Sequence, residues 1–396
     1  MAPIATETQP ETALPSVQDL KISNNANGNK DTVQPAKKKL QWFSETGLPK
    51  SAYPYEHLLP SFDRDVTYGT LEPFEHVDPG HAAKEHSDPR AFLAEADIDL
   101  LTPDFGSEVS GVQLHKLDAA GRQQLALYVS QRGVVAFRDQ DFIDQDPSWQ
   151  VNDWGSFFGR NHIHPTSGQP KGYPELHLVY RAWGEDPGDG LDKRSGSSSA
   201  PPGRVSSVGW HSDVSYELQP PGLTALWLYD SPTSGGDTAY VDARAAYNRL
   251  SPSFQAYLET LHVVHSGHEQ ANFSRERGAD PKLTAYAHVR REPVKNIHPL
   301  VRRHPVTGEK ALYVNRVFSR KIVELKDEES AALLELLYQI IERGLDFQVR
   351  VRWRPRTVVL WDNRITAHSA LADFDGVPGS RRHGARVTPQ AERPFL

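Results

Sequence analysis

Residues 347–354 alternate apolar Phe347, Val349, Val351 and Trp353 with polar or basic Gln348, Arg350, Arg352 and Arg354. That is the period of a strand buried on one face. Shorter unbroken apolar stretches of strand length stand around it: Gly133 to Phe137, Leu223 to Tyr229 and Thr357 to Trp361, the last two bounded by turn residues. Residues 300–304 and 311–315 flank Pro305-Val-Thr-Gly308 and read as a hairpin. Helices are signalled at only a few places. Asp118 precedes a segment through Leu125, Leu127 and Val129 that closes at Gly133. Asp146-Pro147 and Ser251-Pro252 each set a capping residue before a proline at the first helical position. From Asp327 onward, Leu333, Leu334, Leu337, Ile340 and Ile341 fall at three- and four-residue steps up to Gly344. Strands that do not alternate strictly with helices argue against a doubly wound sheet or an eight-fold α/β barrel. The pattern predicts a mainly β protein, a sandwich or jelly roll with flanking helices.

Cysteine is absent from all 396 residues, which removes disulfides, thiolate metal clusters and thiol nucleophiles together. Metal or proton chemistry therefore falls to Asp, Glu and the 17 histidines. The net charge of −7 is mild and of the wrong sign for a chain that lives on phosphate backbones. No apolar run approaches the roughly 18 residues that cross a bilayer. The opening MAPIATETQPETALP has neither a secretory nor a transit-peptide pattern, so a cytoplasmic location is expected. Residues 1–40 hold too few apolar side chains to offset chain entropy and are expected to be disordered. Residues 41–97 scatter Trp42, Phe43, Tyr53, Tyr55, Phe62 and Phe74 among prolines, which suggests an extended arm lying on a domain at 98–396.

Two stretches read His-Ser-Asp. His86-Ser87-Asp88 lies in a charged run with Lys84, Glu85 and Arg90, whereas His211-Ser212-Asp213 sits between Val208-Gly-Trp210 and Val214-Ser-Tyr216. On an extended backbone, residues two apart project from one face, so His211 and Asp213 are expected to enter one cavity. His368 follows the run Thr357–Trp361 by a short connection and is the natural third partner. Two histidines and a carboxylate on one face of an iron leave three positions open, the arrangement of non-haem Fe(II) oxygenases. The alternative is a hydrogen-bonded His–Asp pair at a strand end with His368 in a turn. Downstream, Arg381-Arg-His-Gly-Ala-Arg386 gathers cations in an acidic chain, and arginine pairs bidentately with carboxylate or sulfonate.

Taken in order, several motifs resemble one family. They are Gly111-Val-Gln-Leu, Gly133-Val-Val-Ala-Phe-Arg-Asp-Gln, His162-Ile-His164-Pro and Trp210-His-Ser-Asp213. They continue with Gly235-Gly-Asp-Thr238, Trp361-Asp-Asn-Arg-Ile-Thr-Ala-His368 and the arginine cluster ending Arg386-Val-Thr388. Together they are similar to the taurine dioxygenase family of Fe(II)- and 2-oxoglutarate-dependent oxygenases, over residues 98–396. Ser215-Tyr-Glu-Leu-Gln-Pro-Pro-Gly222 and the proline-rich arm look like the fungal sulfonate dioxygenases within it. The resemblance implies a double-stranded β-helix (jelly roll, cupin-like) core holding Fe(II), with 2-oxoglutarate and O2 as co-substrates. It implies hydroxylation of the carbon next to a sulfonate, releasing sulfite and an aldehyde beside succinate and CO2.

By the same resemblance His211, Asp213 and His368 match the iron ligands, and Thr238 and Arg382 the residues that hold 2-oxoglutarate. Arg386 and His164 match the residues at a substrate sulfonate, and Phe318 and Phe273 aromatics lining the substrate pocket. The implied partner is a small anionic molecule, with neither nucleic acid nor membrane, and a homo-oligomer is compatible with it. An alkyl sulfate or a secondary metabolite stands as the alternative substrate, and a non-catalytic metal-retaining jelly roll as the distant one. Thr166-Ser167 after His164-Pro165, Asn315 to Phe318, and the loop Asp373–Ser380 depart from the bacterial taurine enzymes, all on the substrate side. The Gly-, Ser- and Pro-rich stretch 184–207, ending just before His211, is expected to act as a lid.

Overall fold

The three apolar runs of the sequence become the three central strands of a large sheet. In a computed structural model, which describes residues 53–182, 208–279, 288–374, 377 and 379–396, seven strands form this sheet. They are β1 (Asp97–Leu100), β2 (Ser107–Ser110), β3 (Val134–Phe137), β4 (His177–Ala182), β5 (Leu223–Asp230), β8 (Val358–Asp362) and β10 (Arg381–Val387). Their order is β1-β2-β3-β8-β5-β10-β4, antiparallel throughout except for the parallel pair β2–β3. A second sheet, β7-β6-β9, is built from β6 (Thr238–Asp242), β7 (Gln348–Val351) and β9 (Thr366–Ala370).

Side chains from both sheets meet in one apolar cluster. Val134, Ala136, Leu226, Leu228, Val359 and Trp361 come from the large sheet, and Tyr240, Val349 and Val351 from the small one. The opposite face of the large sheet, through Val135, Phe137, Trp227 and Leu360, packs on α1 (Ala119–Arg132) and on the aromatic turn Trp154–Phe158. The small sheet's outer face, through Val241 and Ala367, packs on α2 (Asp327–Arg343) by Leu334, Leu337 and Ile341. Burial on both faces is why β5 and β8 read as unbroken apolar runs, whereas β7 keeps Arg350 exposed and so alternates. The result is the jelly-roll core with flanking helices that the strand pattern predicts.

The helix signals are explained by their ends. The Asp118 carboxylate accepts the Gly121 amide at 2.8 Å, and α1 closes at Gly133 with φ +73°. A Cβ at Gly133 would stand 2.3 Å from the Phe105 ring, so position 133 needs glycine on both counts. Asp146 caps the Ser148 amide at 2.7 Å with Pro147 at the first position, but the helix then passes through a π turn at Gln150–Gly155. Ser251 precedes Pro252–Leu258 as expected, yet its hydroxyl makes no cap. Asp327 is the first residue of α2 rather than its cap; Glu329 reaches back to the Lys326 amide at 2.9 Å.

Residues 53–96 carry only short helical turns, at Glu56–Leu58, Gly80–Ala83 and Ala91–Leu93. Tyr55, Leu58, Phe92 and Leu93 from this stretch pack on the large-sheet core. The expected tail at 1–40 and the expected lid at 184–207 lie outside the described residues. Among the described residues, no helix is long and apolar enough to cross a membrane.

Candidate metal centre and anion sites

His211 and His368 meet through their main chains. The His211 amide donates to the His368 carbonyl at 3.1 Å and the reverse bond is 2.8 Å, a single antiparallel bridge at the edge of β9. The rings lie with centroids 4.3 Å apart. Asp213 reaches the same point differently from the strand expected for 211–213. Beyond His211 the chain turns, and Val214 takes φ +41°, a left-handed conformation rare for a β-branched residue. Asn363, in the turn between β8 and β9, holds that turn from both sides. Its Oδ1 accepts the Asp213 amide at 2.7 Å and its Nδ2 donates to the Asp213 carbonyl at 3.0 Å.

The ligand atoms converge. Asp213 Oδ1 stands 3.5 Å from His211 Nε2 and 3.7 Å from His368 Nε2. These three residues are the only group of metal-ligating side chains with atoms all within 4.8 Å of one another among the described residues. His211 Nδ1 lies 2.8 Å from the Gly209 carbonyl, which only accepts, so Nδ1 carries the proton and Nε2 presents its lone pair. Burial pushes the His368 imidazole down to about 3, with His211, Arg386 and Arg382 adding to it and Asp213 opposing. Burial alone would raise the Asp213 carboxyl, but Arg386, His368 and His211 outweigh it and hold it far below the ordinary carboxylate range. The two imidazoles and the ionised Asp213 carboxylate, with Asp213 Oδ2 buried and unpartnered, fit a divalent iron. His86, by contrast, is hydrogen-bonded to Gln124 at 3.0 Å and belongs to no such group.

Two buried arginines from β10 flank this centre. Arg382 donates from Nε to the Gly236 carbonyl at 3.1 Å and from Nη2 to Thr238 Oγ1 at 3.3 Å, and lies over the Trp353 ring. Trp353 Nε1 also donates to that hydroxyl, at 3.1 Å. Gly235 and Gly236, at φ +79° and +72°, make the turn that presents this carbonyl. Among the described residues, Arg382's hydrogen-bond partners are thus neutral, and burial lowers its guanidinium to about 10. A buried cation held by neutral acceptors has no counter-charge of its own and can pair with a carboxylate.

Arg386 is buried with two engaged arms. Nη1 donates to Asp213 Oδ1 at 2.8 Å and Nη2 to His177 Nδ1 at 2.6 Å, while Nε is buried without a partner. The internal carboxylate it meets is Asp213. His164 stands beside this arginine, its ring 4.4 Å from that of His177. His164 Nδ1 accepts the amides of Thr166 and Ser167 at 3.2 and 3.1 Å, which puts the proton on Nε2. Burial, then His162, Arg386 and Arg290, hold the His164 imidazole well below its ordinary range, so this donor is neutral. Phe318 closes another side, edge-on to His211 at 6.1 Å. Phe273 is half-buried on the helix His268–Ala279.

His211, Asp213, His368, Arg386, His164 and Phe318 thus lie in one connected cluster, and Arg382, on the same strand as Arg386, pairs with Thr238 of β6 in a second group. Sequence reasoning missed His177, Asn363 and Trp353. Asn363 stands inside the quoted motif Trp361-Asp-Asn-Arg, so a signal existed; His177 carries none, because only pairing of β4 with β10 sets it opposite Arg386.

A jelly roll that gathers two histidines and one aspartate beside buried arginines is the architecture of a mononuclear non-haem iron oxygenase. The chain belongs to the taurine catabolism dioxygenase TauD, TfdA family, which it matches over residues 97–388. It is 44% identical over 348 residues to an alpha-ketoglutarate-dependent sulfonate dioxygenase of Saccharomyces cerevisiae, covering 87% of this chain and 79% of that one. It is 30% identical over 303 residues to an alpha-ketoglutarate-dependent sulfate ester dioxygenase of Pseudomonas putida, covering 76% and 91%. A crystal structure of a putative alpha-ketoglutarate-dependent taurine dioxygenase from Burkholderia xenovorans superposes with a TM-score of 0.59 at 28% identity, covering 76% and 94%. The protein is an oxidoreductase of the 2-oxoglutarate-dependent dioxygenase class, with Fe(II) as its metal and 2-oxoglutarate and O2 as co-substrates.

Proposed function

We propose that this dioxygenase oxidises the carbon bearing a sulfonate group and releases that group as sulfite. One observation carries the reading. Arg386, next to the metal-site carboxylate, is buried with an unspent Nε–H and has the neutral donor His164 at its side. A cation so placed suits an anionic head group whose neighbouring carbon faces the metal.

His211, Asp213 and His368 would hold Fe(II), which with 2-oxoglutarate supplies the oxidising power to replace a C–H bond by C–OH. Arg382 and Thr238 seat the far carboxylate of 2-oxoglutarate. Arg386 and the Nε2–H of His164 hold the sulfonate oxygens, and Phe318 packs the carbon chain. One oxygen atom of O2 enters succinate as CO2 leaves, and the other enters the substrate. The hydroxysulfonate then breaks its C–S bond with the electron pair going to sulfur, and loss of the hydroxyl proton gives aldehyde and sulfite. The site is proposed to work in the cytoplasm on a small anionic substrate.

A sulfate ester presents the same three-oxygen head group, and the Pseudomonas putida relative carries that substrate in its name. The products separate the two. A series of alkyl and aminoalkyl sulfonates and alkyl sulfates is incubated with the iron-loaded enzyme, 2-oxoglutarate and O2. Sulfite in step with succinate from the sulfonates supports the proposal; sulfate from the esters alone replaces it with the second reading.

A further inference from the structure

We infer that His177 is a positioning residue that keeps Arg386 from closing on Asp213, and so preserves both the anion seat and the metal seat. The inference rests on the proposed function for the identity of the anion.

A buried guanidinium beside a buried carboxylate has a strong preference for the two-toothed pairing, two parallel N–H bonds to the two oxygens. Here that pairing is half made. Arg386 Nη1 sits on Asp213 Oδ1 at 2.8 Å, while Oδ2 of the same carboxylate is buried and accepts nothing. The second tooth, Nη2, goes to His177 Nδ1 at 2.6 Å. The register explains why this acceptor is always at hand, because His177 on β4 is directly paired with Arg386 on β10. His177 is in turn held against the His164 ring, edge to face with centroids 4.4 Å apart. Three side chains from three segments therefore fix the plane of one guanidinium.

The consequence reaches two ligands. With Nη2 held by His177, Arg386 keeps its remaining N–H groups off Asp213 and available to a substrate head group. For the same reason Asp213 keeps an oxygen uncovered for the metal. Without the imidazole acceptor, Nη2 is expected to move to Oδ2 and close the fork. The arginine would then spend itself on the internal carboxylate, and the carboxylate would lose basicity and access toward Fe(II).

The test compares His177→Leu, which removes the acceptor at similar size, with His177→Asn, which keeps one close to the backbone. His177→Ala serves in place of the apolar variant if that one does not fold, and melting temperature monitors all three. Anaerobic calorimetry reads Fe(II) binding to the metal-free protein, then binding of an alkyl sulfonate to the protein saturated with Fe(II) and 2-oxoglutarate. The expected result for His177→Leu is a sulfonate Kd raised roughly tenfold or more and weaker Fe(II) binding, the scale of one charge-assisted contact. His177→Asn should recover most of both. Equal affinities in wild type and His177→Leu, or identical losses in Leu and Asn, overturn the inference and leave the proposed function standing. A wild type that binds no sulfonate sinks the proposed substrate instead, and the inference is then decided by Fe(II) affinity alone.

Discussion

Asp213 is set by contacts to its main chain as much as by those to its carboxylate. Asn363, fully buried, holds the amide and the carbonyl of that one residue, and the next residue, Val214, carries a strained left-handed backbone. Such a conformation costs on the order of 1–3 kcal/mol and persists only where neighbours over-determine it. Asn363→Ala removes two of those determinants. The expected outcome is a loss of about 1–3 kcal/mol in stability, because a buried amide and carbonyl are left unpaired. Fe(II) affinity should fall about 10–100-fold, the usual cost of losing the groups that orient a ligand. Thermal unfolding of the metal-free protein and an anaerobic iron titration read the two effects separately. That Asp213 belongs with His211 and His368 was legible in the sequence from spacing and neighbours. How it gets there was not, since a valine at positive φ is what local rules exclude. The partner of Arg386 was likewise out of reach: Asp213 lies 173 residues away along the chain.

At the level of elements, β10 does most to place the anion sites, and the arm before the domain braces it from behind. His383 stands on β10 between Arg382 and Arg386. Its Nδ1 is 2.7 Å from the Tyr53 hydroxyl and its Nε2 is 3.0 Å from the Leu58 carbonyl. Tyr55 packs on Tyr229 of the neighbouring strand, with ring centroids 5.0 Å apart. A chain starting at residue 41 is expected to keep wild-type turnover, since the preceding composition offers little to pack. A chain starting at residue 61 loses all three contacts and should need about tenfold more 2-oxoglutarate, the equivalent of ~1.4 kcal/mol of lost ordering. Steady-state titration of 2-oxoglutarate against both chains checks this, and equal requirements would refute it. The strands themselves were easy to read, because apolar runs and a period of two survive any packing partner. Their order, and hence which residues oppose β10, depends on pairings hundreds of residues apart that no local pattern encodes.

Across the whole molecule, two sheets share one core and bring the candidate site residues together: His368 and Thr238 come from the small sheet, Arg382, Arg386 and His177 from the large one. Two anions are proposed to divide between two arginines four residues apart. Arg382, held by the neutral acceptors Gly236 and Thr238, is the proposed seat of the co-substrate; Arg386, beside Asp213, is the proposed seat of the substrate head group. Steady-state kinetics of sulfite release test that division most directly, with KM for 2-oxoglutarate and for an alkyl sulfonate measured in wild type, Arg382→Ala and Arg386→Ala. Arg382→Ala should raise the 2-oxoglutarate KM whichever sulfonate is used. Arg386→Ala should leave that KM and substrate-independent succinate formation near wild type. It should raise the sulfonate KM by roughly 10–100-fold, the worth of a charge-assisted contact of about 1.5–3 kcal/mol. A wild type that releases no sulfite from any sulfonate, or an Arg386→Ala enzyme with an unchanged sulfonate KM, would contradict the account.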